Sequence, residues 1–155
     1  MTLNSFQFNT TPGLRYGSGQ AKDSCKEISN KLGQSILFIT DKGLMSLGLT
    51  DQTLKELKKI SSVEIFDDVE ADPSKKTLLK AIEVGKKIKA TGVIGFGGGS
   101  SMDVAKLAAL ILGSGENLEE AWGVANAKGP RLPLVLIPTT AGTGSEVTPV
   151  SIITV

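Results

Sequence analysis

The sequence predicts an α/β protein in which helices cover both faces of a parallel sheet, three layers deep. Three observations carry this expectation. Compact apolar runs recur around Ser35–Thr40, Gly92–Phe96 and Leu132–Ile137, the pattern of strands buried on both faces. Segments with apolar residues at three- and four-residue spacing, the mark of amphipathic helices, alternate with them. Two of the runs lead straight into loops rich in glycine and hydroxyl side chains, at the strand ends where open parallel sheets bind ligands.

Each element follows in order. After the Pro12-Gly13 turn, Leu14–Gly17 is expected as a short strand. Ser18–Leu32 reads as a helix with Ala21, Cys25, Ile28 and Leu32 on one stripe, stopped by Gly33. Ser35–Thr40 is a strand and Asp41-Lys42-Gly43 a turn. Short helices follow around Leu44–Leu47 and Asp51–Ile60, and Val63–Phe66 alternates like a strand. Asp72-Pro73-Ser74 opens a helix to about Ala90, with Leu78, Leu79, Ile82 and Ile88 on one side. Gly92–Phe96 is the next strand. Ser100 or Ser101 is expected to cap a helix through about Leu112, and Asn117 to start a short helix carrying Trp122. Leu132–Ile137 and Ser151–Val155 read as the last strands. No repeat, linker or low-complexity tract divides the chain, so residues 1–155 are expected to form one domain.

Composition narrows the function classes. The chain has 155 residues, enough for one sizeable core, and 40% of them are hydrophobic. With 17 basic and 16 acidic residues the net charge is +1, which offers no footprint for nucleic acid. The longest apolar stretch, Leu107–Leu112, is too short to span a bilayer. The N-terminal residues lack the basic start and apolar core of a signal peptide. One cysteine, Cys25, excludes an internal disulfide and fits a reducing cytoplasm. The absence of histidine excludes His-based acid–base or triad chemistry, and a zinc or iron centre cannot be assembled inside this chain.

The first loop is Gly97-Gly98-Gly99-Ser100, which turns a strand into a helix. Glycines there let the backbone come close to a ligand, and the helix start offers free amides and the positive end of its dipole. This suits a pyrophosphate; a ligand-free tight turn is the alternative. No Gly-Lys-Ser/Thr follows, so it is not a P-loop, and the glycine spacing departs from the usual dinucleotide fingerprint. Asp103 lies three residues after Ser100, which fits either a capping pair or a carboxylate at the mouth of a site. Lys106 is placed to pair with Asp103, or to lie near phosphate.

The second loop follows Pro138 and carries Thr139, Thr140, Thr143, Ser145 and Thr148. It offers hydroxyls and open amides but no strong base or nucleophile, which suits ribose or diphosphate binding better than covalent chemistry. No Gly-x-Ser-x-Gly elbow is present. Asp41, just past another strand, is positioned to bond the adenine ribose hydroxyls and repel a 2′-phosphate, which favours NAD over NADP; an ordinary turn aspartate is the alternative.

Together, Gly97-Gly-Gly-Ser-Ser-Met-Asp-Val-Ala-Lys106 and Pro138-Thr-Thr-Ala-Gly-Thr-Gly-Ser-Glu-Val-Thr148 closely resemble the iron-containing (group III) alcohol dehydrogenases. Pro12-Gly13, Gly17-Ser18-Gly19, Thr40–Gly43 and Asp72-Pro73 fit as well, so the resemblance covers essentially the whole chain. It implies the Rossmann-like N-terminal domain of the dehydroquinate synthase-like fold, with a metal-binding helical domain missing after Val155. It implies that Gly98, Gly99 and Ser100 cradle the pyrophosphate and that Asp103 lies towards the nicotinamide. It further implies that Thr139, Thr140 and Thr148 contact phosphate and ribose and that Asp41 selects NAD. Fe(II) or another divalent metal would be held only in the full-length protein. That protein would be a cytoplasmic homo-oligomer acting on a small alcohol or aldehyde. The chain alone is expected to be catalytically silent, to bind NAD weakly, and to expose an apolar patch where the second domain docks. A stand-alone nucleotide-binding module and a zinc-dependent, glycerol dehydrogenase-like enzyme are the alternatives.

Overall fold

The computed structural model describes residues 11–123 and 125–155; the N-terminal stretch compared above with a signal peptide lies outside the described residues. Four parallel strands form the sheet: β1 (Ser35–Ile39), β2 (Ser62–Phe66), β3 (Gly92–Gly97) and β4 (Leu134–Pro138), in the order β2-β1-β3-β4. From β1 the chain steps outward to β2, then crosses back to β3 on the other side and on to β4. The direction of winding therefore reverses between β1 and β3, and ligands of open α/β sheets bind outside the carboxyl ends at such a point.

Helices α1 (Gln20–Asp23), α2 (Cys25–Leu32), α3 (Lys42–Ser46) and α4 (Asp51–Leu57) lead up to β2. Helices α5 (Lys75–Lys87), α6 (Gly99–Ser114) and α7 (Leu118–Ala121) come after it. Alternate strand residues build two cores. Leu37, Ile39 and Val93 pack against Leu78, Ala81, Ile82, Val104, Ala105 and Ala108 of α5 and α6. Ile36, Phe38, Ile94 and Phe96 face the other way, onto Cys25, Ile28, Leu32, Leu54 and Leu57. Phe38 and Phe96 stack there with ring centres 5.6 Å apart. Both faces of β1 and β3 are thus buried, which explains their unbroken apolar runs and bears out the three-layer fold.

Several boundaries differ from the sequence reading. Leu14–Gly17 forms no strand: a strand needs a neighbour to bond, and among the described residues none lies beside it, while Tyr16 is 97% exposed. The Ser18–Leu32 helix is broken at Ser24, where α1 hands over to α2. Asp41–Gly43 is not a free turn, because Asp41 caps α3, its Oδ1 accepting from the Leu44 amide at 2.9 Å. Leu79 is exposed; the buried face of α5 is Thr77, Leu78, Ala81, Ile82 and Gly85. Neither Ser100 nor Ser101 caps α6. The chain turns at Gly97, Gly98 is the cap, and the serines fall inside the first helical turn. Ser151–Val155 makes a single bridge, Ser74 to Thr154, because only that stretch lies alongside the start of α5.

Candidate functional site

Each sequence-derived site residue sits at a carboxyl end of the sheet. Gly97 ends β3 in register with Pro138 of β4, and the Thr139 amide donates to the Gly97 carbonyl at 2.9 Å. The two loops therefore leave the sheet side by side. A Cβ on Gly98 would stand 3.5 Å from Thr140 Oγ1, and one on Gly99 would stand 3.3 Å from Thr143 Cγ2. At Gly99 the missing Cβ eases the close approach of α6 to the second loop, whereas a Cβ on Gly98 would make ordinary contact. Gly97 itself has φ 154°, and a Cβ there would meet Ser101 Oγ at 2.7 Å.

Beside this junction lies a cleft of about 650 Å³. Gly99, Ser100, Asp103, Thr143, Ser145 and Thr148, all named from the sequence, line it. Gly97, Gly98, Thr139 and Thr140 adjoin it without lining it. Asp41 stands one strand away at the end of β1, where α3 closes over β3: a Cβ on Gly97 would lie 3.2 Å from Leu44 Cδ1. One Asp41 oxygen is committed to the α3 cap. Lys42, next to it, pairs with Asp68, which Lys80 also reaches at 3.3 Å. Hydrogen bonds from Lys42 and Lys80 hold the Asp68 carboxyl below its ordinary range.

The first amides of α6, from Gly99 onward, lack intrahelical acceptors as at any helix start, and no side chain caps them. With the dipole they make an anion seat beside a cleft lined by hydroxyls. This arrangement fits the diphosphate and ribose parts of a dinucleotide.

Asp103 is used differently from the capping role. It sits in the second turn of α6, its Oδ1 accepting from Ser145 Oγ at 2.6 Å and its Oδ2 from the Ile152 amide at 2.9 Å. Lys106 pairs with it at 3.0 Å, as the spacing suggested, but lies under the loop rather than at a phosphate seat.

The sequence missed the opposite wall, formed by Asp72, Pro73 and residues 152–154. Asp72 has φ 51°, a left-handed conformation that aspartate tolerates better than most residues, and Asp-Pro was the available signal. Glu70 anchors this wall by accepting from the Ser74 amide at 3.0 Å and from Thr77 Oγ1 at 2.7 Å. Desolvation pushes the Glu70 carboxyl up, but those donors outweigh it and hold it at about 2. Cys25 is away from the site, bonded through its thiol to the Ala21 and Thr53 carbonyls, and burial, then Glu56 and Asp23, raise it. No group of three or more His, Cys, Asp or Glu side chains able to hold a metal occurs among the described residues.

Known proteins resemble this chain in sequence and in fold. The family described as iron-containing alcohol dehydrogenase matches residues 12–155. Sulfoacetaldehyde reductase of Bilophila wadsworthia is 31% identical over 96% of this chain and 39% of its own length. Long-chain-alcohol dehydrogenase 1 of Geobacillus thermodenitrificans is 38% identical over 92% of this chain and 37% of its own. Among solved structures, sulfoacetaldehyde reductase from Bifidobacterium kashiwanohense in complex with NAD+ superposes with a TM-score of 0.83 at 30% identity, over 97% of this chain and 40% of that one. The chain thus spans about 40% of the length of these relatives. Matched over residues 12–155, the chain belongs to the iron-containing alcohol dehydrogenase family.

Proposed function

We propose that this chain is the dinucleotide-binding domain of an NAD-dependent, iron-type alcohol dehydrogenase. The full-length enzyme moves hydride between a short alcohol or diol and the nicotinamide. The observation that carries the reading is the junction of the glycine start of α6 with the 139–148 loop beside the β1/β3 switch point. The relative solved with NAD+ supports it. NAD, when bound, supplies the hydride acceptor at its nicotinamide ring. The amides at Gly98, Gly99 and Ser100 receive the pyrophosphate. Thr139, Thr140, Thr143 and Thr148 offer hydroxyls to phosphate and ribose. Asp41 keeps one oxygen for the adenine ribose, and its charge opposes a 2′-phosphate, because the nearest lysine is occupied by Asp68.

The residues present do not fit the iron of the family name, and no step of the reading passes through it. No helix among the described residues is long and apolar enough to cross a membrane. The reading takes the full-length protein to be a cytoplasmic homo-oligomer with a helical domain beyond this one, partnered by a small alcohol or aldehyde and not by nucleic acid or membrane.

Titrating the chain with NAD+ and NADP+, followed by amide chemical shifts that register millimolar binding, tests the reading. NAD+ is expected to shift residues 97–100 and 139–148 and to bind about tenfold tighter than NADP+, a difference of about 1.4 kcal/mol. Asp41→Ser keeps the α3 cap but removes the charge, and it should close that gap. No response to NAD+ at millimolar concentration would sink the assignment.

A further inference from the structure

Asp103 and Lys106 lie one helical turn apart on the buried side of α6, with side chains 13% and 9% exposed. Buried charges of this kind persist only when paired and hydrogen-bonded. Their partners all lie on one segment. Lys106 Nζ donates to the Ser145 carbonyl at 3.0 Å, to the Thr148 carbonyl at 3.4 Å and to the Val150 carbonyl. Asp103 accepts from the Ser145 hydroxyl and the Ile152 amide, and bonds Lys106 at 3.0 Å. Five bonds to a segment with little regular structure of its own fix its path across α6. Ser145, Thr148, Val150 and Ile152, which those bonds hold, all line the cleft.

We infer that Asp103 and Lys106 are positioning residues that shape the cofactor cleft by fixing the backbone of residues 145–152, and that neither hydrogen-bonds the ligand. Both are spent on the protein itself. Lys106 directs its ammonium to carbonyls and to one carboxylate, so it has no donor left for a diphosphate. Both Asp103 oxygens accept from the loop, so although Asp103 lines the cleft its carboxylate is spent on the protein. The bonds from the charged groups sit in a poorly hydrated layer, where losing one partner strands the other. The inference rests on the proposed dinucleotide reading only for the ligand that the shaped cleft accepts.

The test compares the chain with its Lys106→Met and Asp103→Asn variants, by amide hydrogen exchange without ligand and by NAD+ titration at several salt concentrations. Lys106→Met keeps the length and packing of the side chain. Asp103→Asn keeps one acceptor, so it should have the smaller effect. Amides of residues 145–152 should exchange about tenfold or more faster in Lys106→Met, while β1 and β3 amides stay protected. NAD+ affinity should fall by a similar factor, with its salt dependence unchanged. Unchanged exchange in both variants overturns the inference, as does faster exchange across the sheet, which marks general destabilisation. A flattened salt dependence in Lys106→Met overturns it too, because that marks direct phosphate contact. If the unmodified chain does not bind NAD+ but the loop still loosens in the variants, the clamp stands and the dinucleotide reading falls.

Discussion

At the scale of single residues, the cleft is built from side chains that spend themselves on the backbone. Asp41 caps α3, Asp103 holds the second loop, and Glu70 holds the wall that starts α5. Glu70 gives a pH signature. Its folded value of about 2 lies below the ordinary 4.5, so its stabilising contribution is fully present above 4.5 and is lost as pH falls towards 2. Glu70→Gln should lower the melting temperature at neutral pH and make it fall less steeply than in the unmodified chain between pH 4.5 and 2. Thermal unfolding at a series of pH values reads this directly, and parallel curves for the two proteins would contradict it. The effect is modest because Glu70 is exposed to screening solvent.

At the scale of elements, caps and glycines decide where helices start. Ser74 stands in the extended cap position of α5 and accepts from the Thr77 amide at 3.2 Å. Ser74→Ala should cost about 1 kcal/mol, seen as a lower urea midpoint with an unchanged slope; an unchanged midpoint would mean that Glu70 alone holds the helix start. This cap was legible in the sequence, as were β1, β3 and the α5 and α6 spans, because long apolar periodicity and a Ser cap are local signals. The failures were tertiary. Leu14–Gly17 and Ser151–Val155 have strand-like composition, but a strand exists only where a neighbour bonds it. Ser100 looked like a cap, yet the cap position falls two residues earlier, at Gly98, which has no side chain to bond with. The glycine turn from β3 into α6 was legible because a glycine cluster between a strand and a helix is a local signal. The Asp103–Lys106 contacts with residues 145–152 were not, because they join parts of the chain some forty residues apart.

At the scale of the whole molecule, one segment beside the cleft carries exposed apolar side chains. Val150, Ile152 and Val155 are 59%, 73% and 90% exposed along one short segment. Isolated exposed apolar residues are ordinary, but three on one strip beside a cleft behave as an uncovered contact surface. Sulfoacetaldehyde reductase matches this chain over only 39% of its own length, and under the proposed function the remaining length supplies the cover. The chain by itself should therefore self-associate through this strip. Sedimentation velocity over roughly a hundredfold range of concentration should show the sedimentation coefficient rising. A Val150→Lys, Ile152→Lys double variant should remove the rise while its circular dichroism stays the same, because neither substitution disturbs the Ile152 amide that Asp103 holds. A monomer at every concentration would show that the strip is tolerated bare. Association that survives the double variant would move the contact elsewhere, with exposed Leu14 and Tyr16 the next surface to change.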